Sequence, residues 1–203
     1  KGFAVLAAME NRLASIQTRN WGTIGGNICH ADPAGDPAPV LIALKATLTI
    51  AGLKGERNMA VEDFALDNFE TALEPDELLT EIQVPAAPPH TGTAYTKFNI
   101  IQSDLATVGV AVSVTLGSGD GICQDIRIAL GAAAPTAMRA KKAEAAVRGK
   151  KITDNLLKEA GEIASTEVDP ISDIVASEEY RRELVKVLVN RVGKEALAGA
   201  KRA

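Results

Sequence analysis

The chain is poor in aromatic side chains, cysteine and histidine, and it has neither a basic block nor a long apolar run. Phe, Tyr and Trp make up 3% of 203 residues, too few to interleave with Lys and Arg as nucleic-acid surfaces do. With a net charge of −4 and no Lys/Arg cluster, the chain offers a polyanion no electrostatic footprint. No nucleic-acid partner is expected. Cys29 and Cys123 lie far apart and outside any Cys-x-x-Cys spacing, which excludes a disulfide scaffold and a zinc or iron–sulfur site and fits a reducing compartment. His30 and His90 lack partners at metal-ligand spacing, so no metal site is expected. No run approaches the ~20 apolar residues of a membrane span, and the first residues, KGFAVLAAMENR, lack a signal peptide's apolar stretch and cleavage site. No membrane span is expected, and the expected location is cytoplasmic. No Ser/His/Asp triad and no paired-carboxylate site stands out, so no residue is expected to be catalytic.

What is present is a 46% hydrophobic chain, enough for one or two modest cores, whose periodicity divides it in two. In the first region Phe3, Leu6, Met9, Leu13 and Ile16 recur every three or four residues and predict a helix over 3–16. An apolar helix over 39–44, a strand over 46–51, a glycine-bounded turn at 52–55 and a last strand over 78–84, stopped by Pro85, complete it. Residues 85–93 hold three prolines and a glycine, the composition of a stiff connector. The boundary placed there gives domains 1–88 and 89–203.

The second region alternates cleanly. Over 108–116 the even positions are Val, Val, Val, Val and Leu and the odd ones are small, so one face packs a core and the other lies close against something. With 95–100, 122–130 and a turn at 117–121, this predicts an antiparallel three-stranded meander. Thr136, Thr153 and Ser177 are expected to cap three helices covering one sheet face, the first running to Arg148 and closed by Gly149. In the last, Leu184, Leu188 and Val192 recur every four residues as a core or subunit-contact stripe. Both halves read as α+β.

Between the first two helices lies NWGTIGGNICHADPAGDP, residues 20–37. Thr23, Ile24, Gly25, Gly26 and Asn27 offer successive backbone N–H groups, two without a Cβ, and such a nest cradles phosphate. Asp32 and Asp36, slightly further on, can accept hydrogen bonds from ribose or ribityl hydroxyls. The order suits a dinucleotide. The pattern alone leaves a plain structural turn open, since it is neither the Rossmann fingerprint nor a P-loop.

The stretch RNWGTIGGNICHADPAGDPAPVLIALKATL, followed by ELLTEIQVP, AYTKF, LGAAAPTAMRAKKAEAAVRGK and SEEYRRELVKVLVNR, resembles the FAD-binding (medium) subunit of molybdenum hydroxylases, the xanthine dehydrogenase and carbon monoxide dehydrogenase family. The resemblance spans nearly the whole chain. It implies the later part of a p-cresol methylhydroxylase-like FAD-binding domain, followed by the family's C-terminal flavoprotein domain, an antiparallel sheet covered by helices. It further implies that Thr23, Ile24, Gly25, Gly26 and Asn27 form a phosphate loop and that Asp36 contacts the cofactor. Leu79 would lie against the flavin, Tyr95 near its ring, and Lys97 would be a cation beside the isoalloxazine. An apolar wall and an aromatic face suit a planar ring, and a cation near its pyrimidine edge stabilises the negative charge gained on reduction.

The implied role is electron relay. A molybdopterin-binding large subunit would oxidise the substrate, a [2Fe–2S] small subunit would pass electrons on, and FAD on this chain would deliver them to an acceptor. Cys29 would then be a packing residue. Family members begin with a further subdomain bearing an Ala-Gly-Gly loop, which is absent before Thr23. Either the chain is the later part of a longer subunit or another polypeptide supplies that half. The alternatives are a non-catalytic assembly subunit that has lost flavin binding and a free-standing flavoenzyme of the same fold.

Overall fold

The computed structural model describes residues 3–101, 103–118 and 121–203. The first region opens with four short helices, α1 (Ala4–Glu10), α2 (Ile16–Trp21), α3 (Ile24–His30) and α4 (Pro37–Ala43). Strands β1 (Thr47–Gly52), β2 (Gly55–Ala60), β3 (Ala65–Asp67), β4 (Glu70–Thr71) and β5 (Leu78–Gln83) follow. β1 lies between β2 and β5, antiparallel to both, and its Leu48 and Ile50 are fully buried. β2, GERNMA, is a polar edge strand that shows no apolar alternation and so was invisible to periodicity.

The helix expected over 3–16 is broken. α1 stops at Glu10, Ala14 takes a left-handed φ of 41°, and the Ser15 hydroxyl accepts the Thr18 N–H to start α2. Arg19 then donates to the carbonyls of Leu13 and Ala14, fixing the kink. Apolar spacing runs across the break, whereas the capping serine marks it.

The second region is a four-stranded antiparallel sheet, β6 (Thr91–Phe98), β7 (Val108–Leu116), β8 (Cys123–Gly131) and β9 (Met138–Arg139), in that order. Helices α5 (Lys141–Val147), α6 (Asp154–Glu167) and α7 (Glu178–Ala200) cover one face. The even residues of β7 enter that core with Ile126, Ile128 and Leu130 of β8. Thr153 and Ser177 cap α6 and α7, and Leu188 and Val192 are buried with Leu184 packed beside them. Thr136 caps nothing. Residues 138–139 first pair with β8, and α5 begins at Lys141, where Glu144 turns inward to accept the Ile128 N–H at 2.9 Å. Residues 119 and 120 of the expected turn lie outside the described residues, and Gly121 has φ 67°.

The small odd residues of the sheet receive α4. Ala111 and Ala129 share a core with Val40, Leu41 and Ile42, and a Cβ on Gly131 would stand 3.3 Å from Pro39 Cγ. Arg127 donates to the Ile42 carbonyl near the end of this helix at 2.7 Å. With α4 packed on β7 and β8, Asp36 at its start lies within hydrogen-bond reach of β6.

Candidate functional site

The stretch around the glycine pair is the first turn of α3. Thr23, extended at φ −123° and ψ 154°, caps it through its hydroxyl, which accepts the Gly26 N–H at 2.9 Å. Asn27 N–H closes onto the Thr23 carbonyl at 3.0 Å. The N–H groups of Ile24 and Gly25 precede every intrahelical acceptor and point out of the helix start. The expected nest is therefore a capped helix end, with the donor property in place but fewer free donors. A Cβ on Gly26 would approach Thr23 Oγ1 to 3.1 Å, so glycine lets the cap close. A Cβ on Gly25 would face Leu79 Cδ2 at 3.9 Å, which puts Leu79 of β5 beside the loop.

Thr23, Ile24, Gly26 and Asn27 line a cleft of about 460 Å³ whose rim carries Arg19 and Trp21. Trp21 is 92% exposed. Glu10 also lines this cleft, and burial, with the Asp36 charge nearby, raises its carboxyl above the usual value. Asp32 is committed locally, its Oδ1 accepting the Ala34 N–H at 2.9 Å. His30 packs its ring against Phe69 at 5.2 Å between centroids. Cys29 is half-buried with its thiol raised by burial, so little of it is the reactive thiolate at neutral pH.

Asp36, Tyr95 and Lys97 form a second group. Tyr95 donates its hydroxyl to Asp36 Oδ1 at 2.5 Å, and Lys97 Nζ donates to Oδ2 at 2.7 Å and to the Asp104 carbonyl at 3.0 Å. The Lys97 and Asp36 side chains are only 2% and 5% exposed. Burial first, then the Asp36 charge and hydrogen bond, hold the Tyr95 phenol well above its ordinary pKa, so it remains a donor. Gly109, opposite Lys97 in the sheet, leaves the phenol its space: a Cβ there would stand 3.2 Å from Tyr95 Oη.

Lys97 borders a polar cleft of about 390 Å³ with Arg12, Arg19, Asn99 and Ser103, and among the described residues no carboxylate lines it. The structure thus gathers the predicted residues as two sets, Thr23–Asn27 with Leu79, and Asp36 with Tyr95 and Lys97. Arg19 lines both clefts and joins them. Arg12 and Arg19 escaped the sequence reading because the kink at Ala14, which brings them to one cleft, has no apolar signature. A third cleft of about 400 Å³ lies where Pro33, Phe69 and Leu105 meet the buried Arg181 and Thr107. Arg181 donates there to the Thr107 and Ala132 carbonyls and to Asp173 at 2.7 Å.

Residues 2–87 match the family described as the FAD binding domain in molybdopterin dehydrogenase, and residues 93–196 the CO dehydrogenase flavoprotein C-terminal domain. The glyceraldehyde dehydrogenase medium chain of Sulfolobus acidocaldarius is 38% identical over 90% of this chain and 64% of its own length. The xanthine dehydrogenase FAD-binding subunit of Escherichia coli O157:H7 is 32% identical over 96% of this chain and 67% of its own. Among solved structures, a chain of the carbon monoxide dehydrogenase from Hydrogenophaga pseudoflava lacking the Mo-pyranopterin moiety superposes with a TM-score of 0.92. It shares 37% identity and covers 96% of this chain and 67% of that one. The chain spans about two thirds of the length of these relatives.

Proposed function

The chain belongs to the family of FAD-binding subunits of molybdopterin dehydrogenases, and from that premise we propose that it is the flavin-holding part of a multi-subunit molybdenum hydroxylase or dehydrogenase. Its work is to relay electrons from [2Fe–2S] clusters on a small subunit to an external acceptor, the substrate being oxidised on a molybdopterin-binding large subunit. FAD, when bound, supplies the redox chemistry, and the chain supplies position and electrostatics.

The carrying observation is the exposed start of α3 on its cleft. Within the stretch Thr23, Ile24, Gly25, Gly26 and Asn27, the N–H groups of Ile24 and Gly25 point outward from a helix start where a pyrophosphate can approach, while those of Gly26 and Asn27 close the cap on Thr23. Leu79 beside them supplies an apolar wall. Lys97, with Arg12 and Arg19, lines an acid-free cleft suited to the acceptor-rich edge of an isoalloxazine. Asp36 and Tyr95 complete the proposed cofactor site from behind Lys97. Two outward N–H groups hold a pyrophosphate on one side only, and Trp21, Ile16 and Ile24 stand exposed beside them. We therefore assign the other side of the cradle to additional chain, either a longer form of this polypeptide or a separate one. The division between the domains is placed at residues 88 and 89. No helix among the described residues is long and apolar enough to cross a membrane, and the proposed location is the cytoplasm.

The test is native purification, an absorbance spectrum, identification of the released cofactor and the mass of every polypeptide. Stoichiometric FAD with large and small partner subunits is the expected result. An intact complex free of flavin would replace this reading with that of an assembly subunit.

A further inference from the structure

Resting on the flavin reading above, we infer that Tyr95 and Asp36 are positioning residues that act on bound flavin through Lys97, the tyrosine by its hydroxyl and not by its ring. Asp36 stands immediately before Pro37, at the start of α4, and its carboxylate makes no capping bond to that helix. It faces β6 instead, where Tyr95 and Lys97, two residues apart, project from the same face of the strand. Each carboxylate oxygen takes one of them, at 2.5 and 2.7 Å.

The accounting for Lys97 gives the direction of the effect. An ammonium has three hydrogens. One goes to Asp36 and one to the Asp104 carbonyl, and among the described residues no acceptor takes the third. Lys97 lines the acid-free cleft with Arg12 and Arg19, whereas Asp36 and Tyr95 line none of the clefts described above. A ligand seated in that cleft reaches the lysine and neither of the residues behind it. The bond to the Asp104 carbonyl also ties that residue to the same ammonium, so Lys97 is held by two acceptors at once.

Tyr95 is buried, with 8% of the residue exposed, it lines none of the clefts described above, and its hydroxyl is committed to Asp36, so it offers no open face on which a flavin could stack. A stacking role and a positioning role then predict opposite outcomes for the same pair of substitutions. Removing the hydroxyl alone leaves a stacking face intact but frees one oxygen of Asp36 and loosens Lys97. Removing the ring while the site is otherwise kept would matter most for stacking.

The experiment measures FAD dissociation and the reduction potential of the bound flavin in the natively purified complex, for wild type, Tyr95→Phe and Tyr95→Leu. Tyr95→Phe is repeated in an Asp36→Asn/Lys97→Gln background, in which the pair is replaced by neutral amides. Tyr95→Phe is expected to weaken FAD binding roughly tenfold, the scale of one hydrogen bond to a charged group, and to shift the potential. Both effects should vanish in the neutral background. Asp36→Glu, which keeps the charge but moves the carboxylate by one methylene, should act like Tyr95→Phe, and it serves should that variant not assemble. If Tyr95→Phe is silent while Tyr95→Leu loses flavin, the ring is the contact and the inference is wrong. It is equally wrong if Tyr95→Phe acts alike in both backgrounds. A wild-type complex that releases no FAD overturns the flavin reading itself, and this inference with it, before any variant is compared.

Discussion

Replacing Lys97 by Met tests how much the buried pair holds the two regions together. The Lys97 and Asp36 side chains are 2% and 5% exposed, so the substitution leaves a largely buried carboxylate without its cation. Removing one partner of such a pair costs about 3–5 kcal/mol. For a domain of this size, about 2–4 °C of melting temperature is lost per kcal/mol, and the expected fall is therefore on the order of 6–20 °C. Lys45 and Asp125 provide the internal comparison, with the same 2.7 Å separation but 54% and 31% exposure. Such an exposed pair is worth roughly 0–1 kcal/mol, so Lys45→Met should barely move the transition. The double change Asp36→Leu/Lys97→Met strands the Tyr95 hydroxyl, a cost of about 1–3 kcal/mol, and frees the carbonyl of the exposed Asp104 to water, but it leaves no charge buried, so it should be milder than Lys97→Met alone. Urea unfolding of the purified chain, with an unchanged m-value, gives all the terms of the cycle. If Lys97→Met and Lys45→Met cost the same, the Asp36–Lys97 pair is solvated and the reasoning fails.

Gly92→Ala would place a Cβ 2.0 Å from the Ala196 carbonyl oxygen and 2.2 Å from the Ala200 nitrogen, both backbone atoms of α7. The helix must lift off β6, at about 1–3 kcal/mol or more, read as a lower urea midpoint; an unchanged midpoint would mean that the two elements do not touch there. Thr153→Ala removes the cap of α6 and should cost about 1 kcal/mol, whereas Thr136→Ala, at a threonine that caps no helix, should show no such loss in the same unfolding assay. The two hydrogen bonds from Arg57, with a third from the Glu74 N–H, lower Glu77 to about 2. A carboxylate lowered in the folded state contributes stability that is complete above its unfolded value, near 4.5, and is lost as pH falls toward about 2. A carboxyl-carbon NMR titration with a Glu77 midpoint near 4.5 would show that the hydrogen bonds do not persist in solution.

The second region was legible because its local signals agree with its packing. Four valines and a leucine alternate with small residues over β7, and both the helix-covered face and the close approach of α4 follow from that pattern. Thr153 and Ser177 cap through purely local bonds, each hydroxyl accepting the N–H three residues on, from Leu156 and Tyr180. Thr136 failed as a cap for a tertiary reason. The two residues of β9 add to the sheet before α5 can begin, and Glu144 is drawn inward by the Ile128 N–H and by Arg139. Neither partner lies close enough in sequence to leave a helical pattern. The break in the first helix is the converse case. Its apolar spacing continues through residues that are not helical, and the polar Ser15 and Arg19 decide the geometry.

The candidate site divides along the same line. Thr23, Gly25, Gly26 and Asn27 are neighbours in sequence, so their polar backbone could be read directly, and the structure changes only its form, from a nest to a capped helix end. Asp36 meets Tyr95 and Lys97 across 59 and 61 residues, and no local pattern spans that distance. Two signals nonetheless stood in the chain. An aspartate directly before proline is free to point away from the helix it begins, and a lysine in a strand opposite Gly109 has no Cβ beside it to compete for space. Each has a bland reading alone, a turn residue and a solvated cation. They become informative together, because a buried ammonium needs a carboxylate, and an aspartate that begins a helix packed on the same sheet is the one placed to supply it.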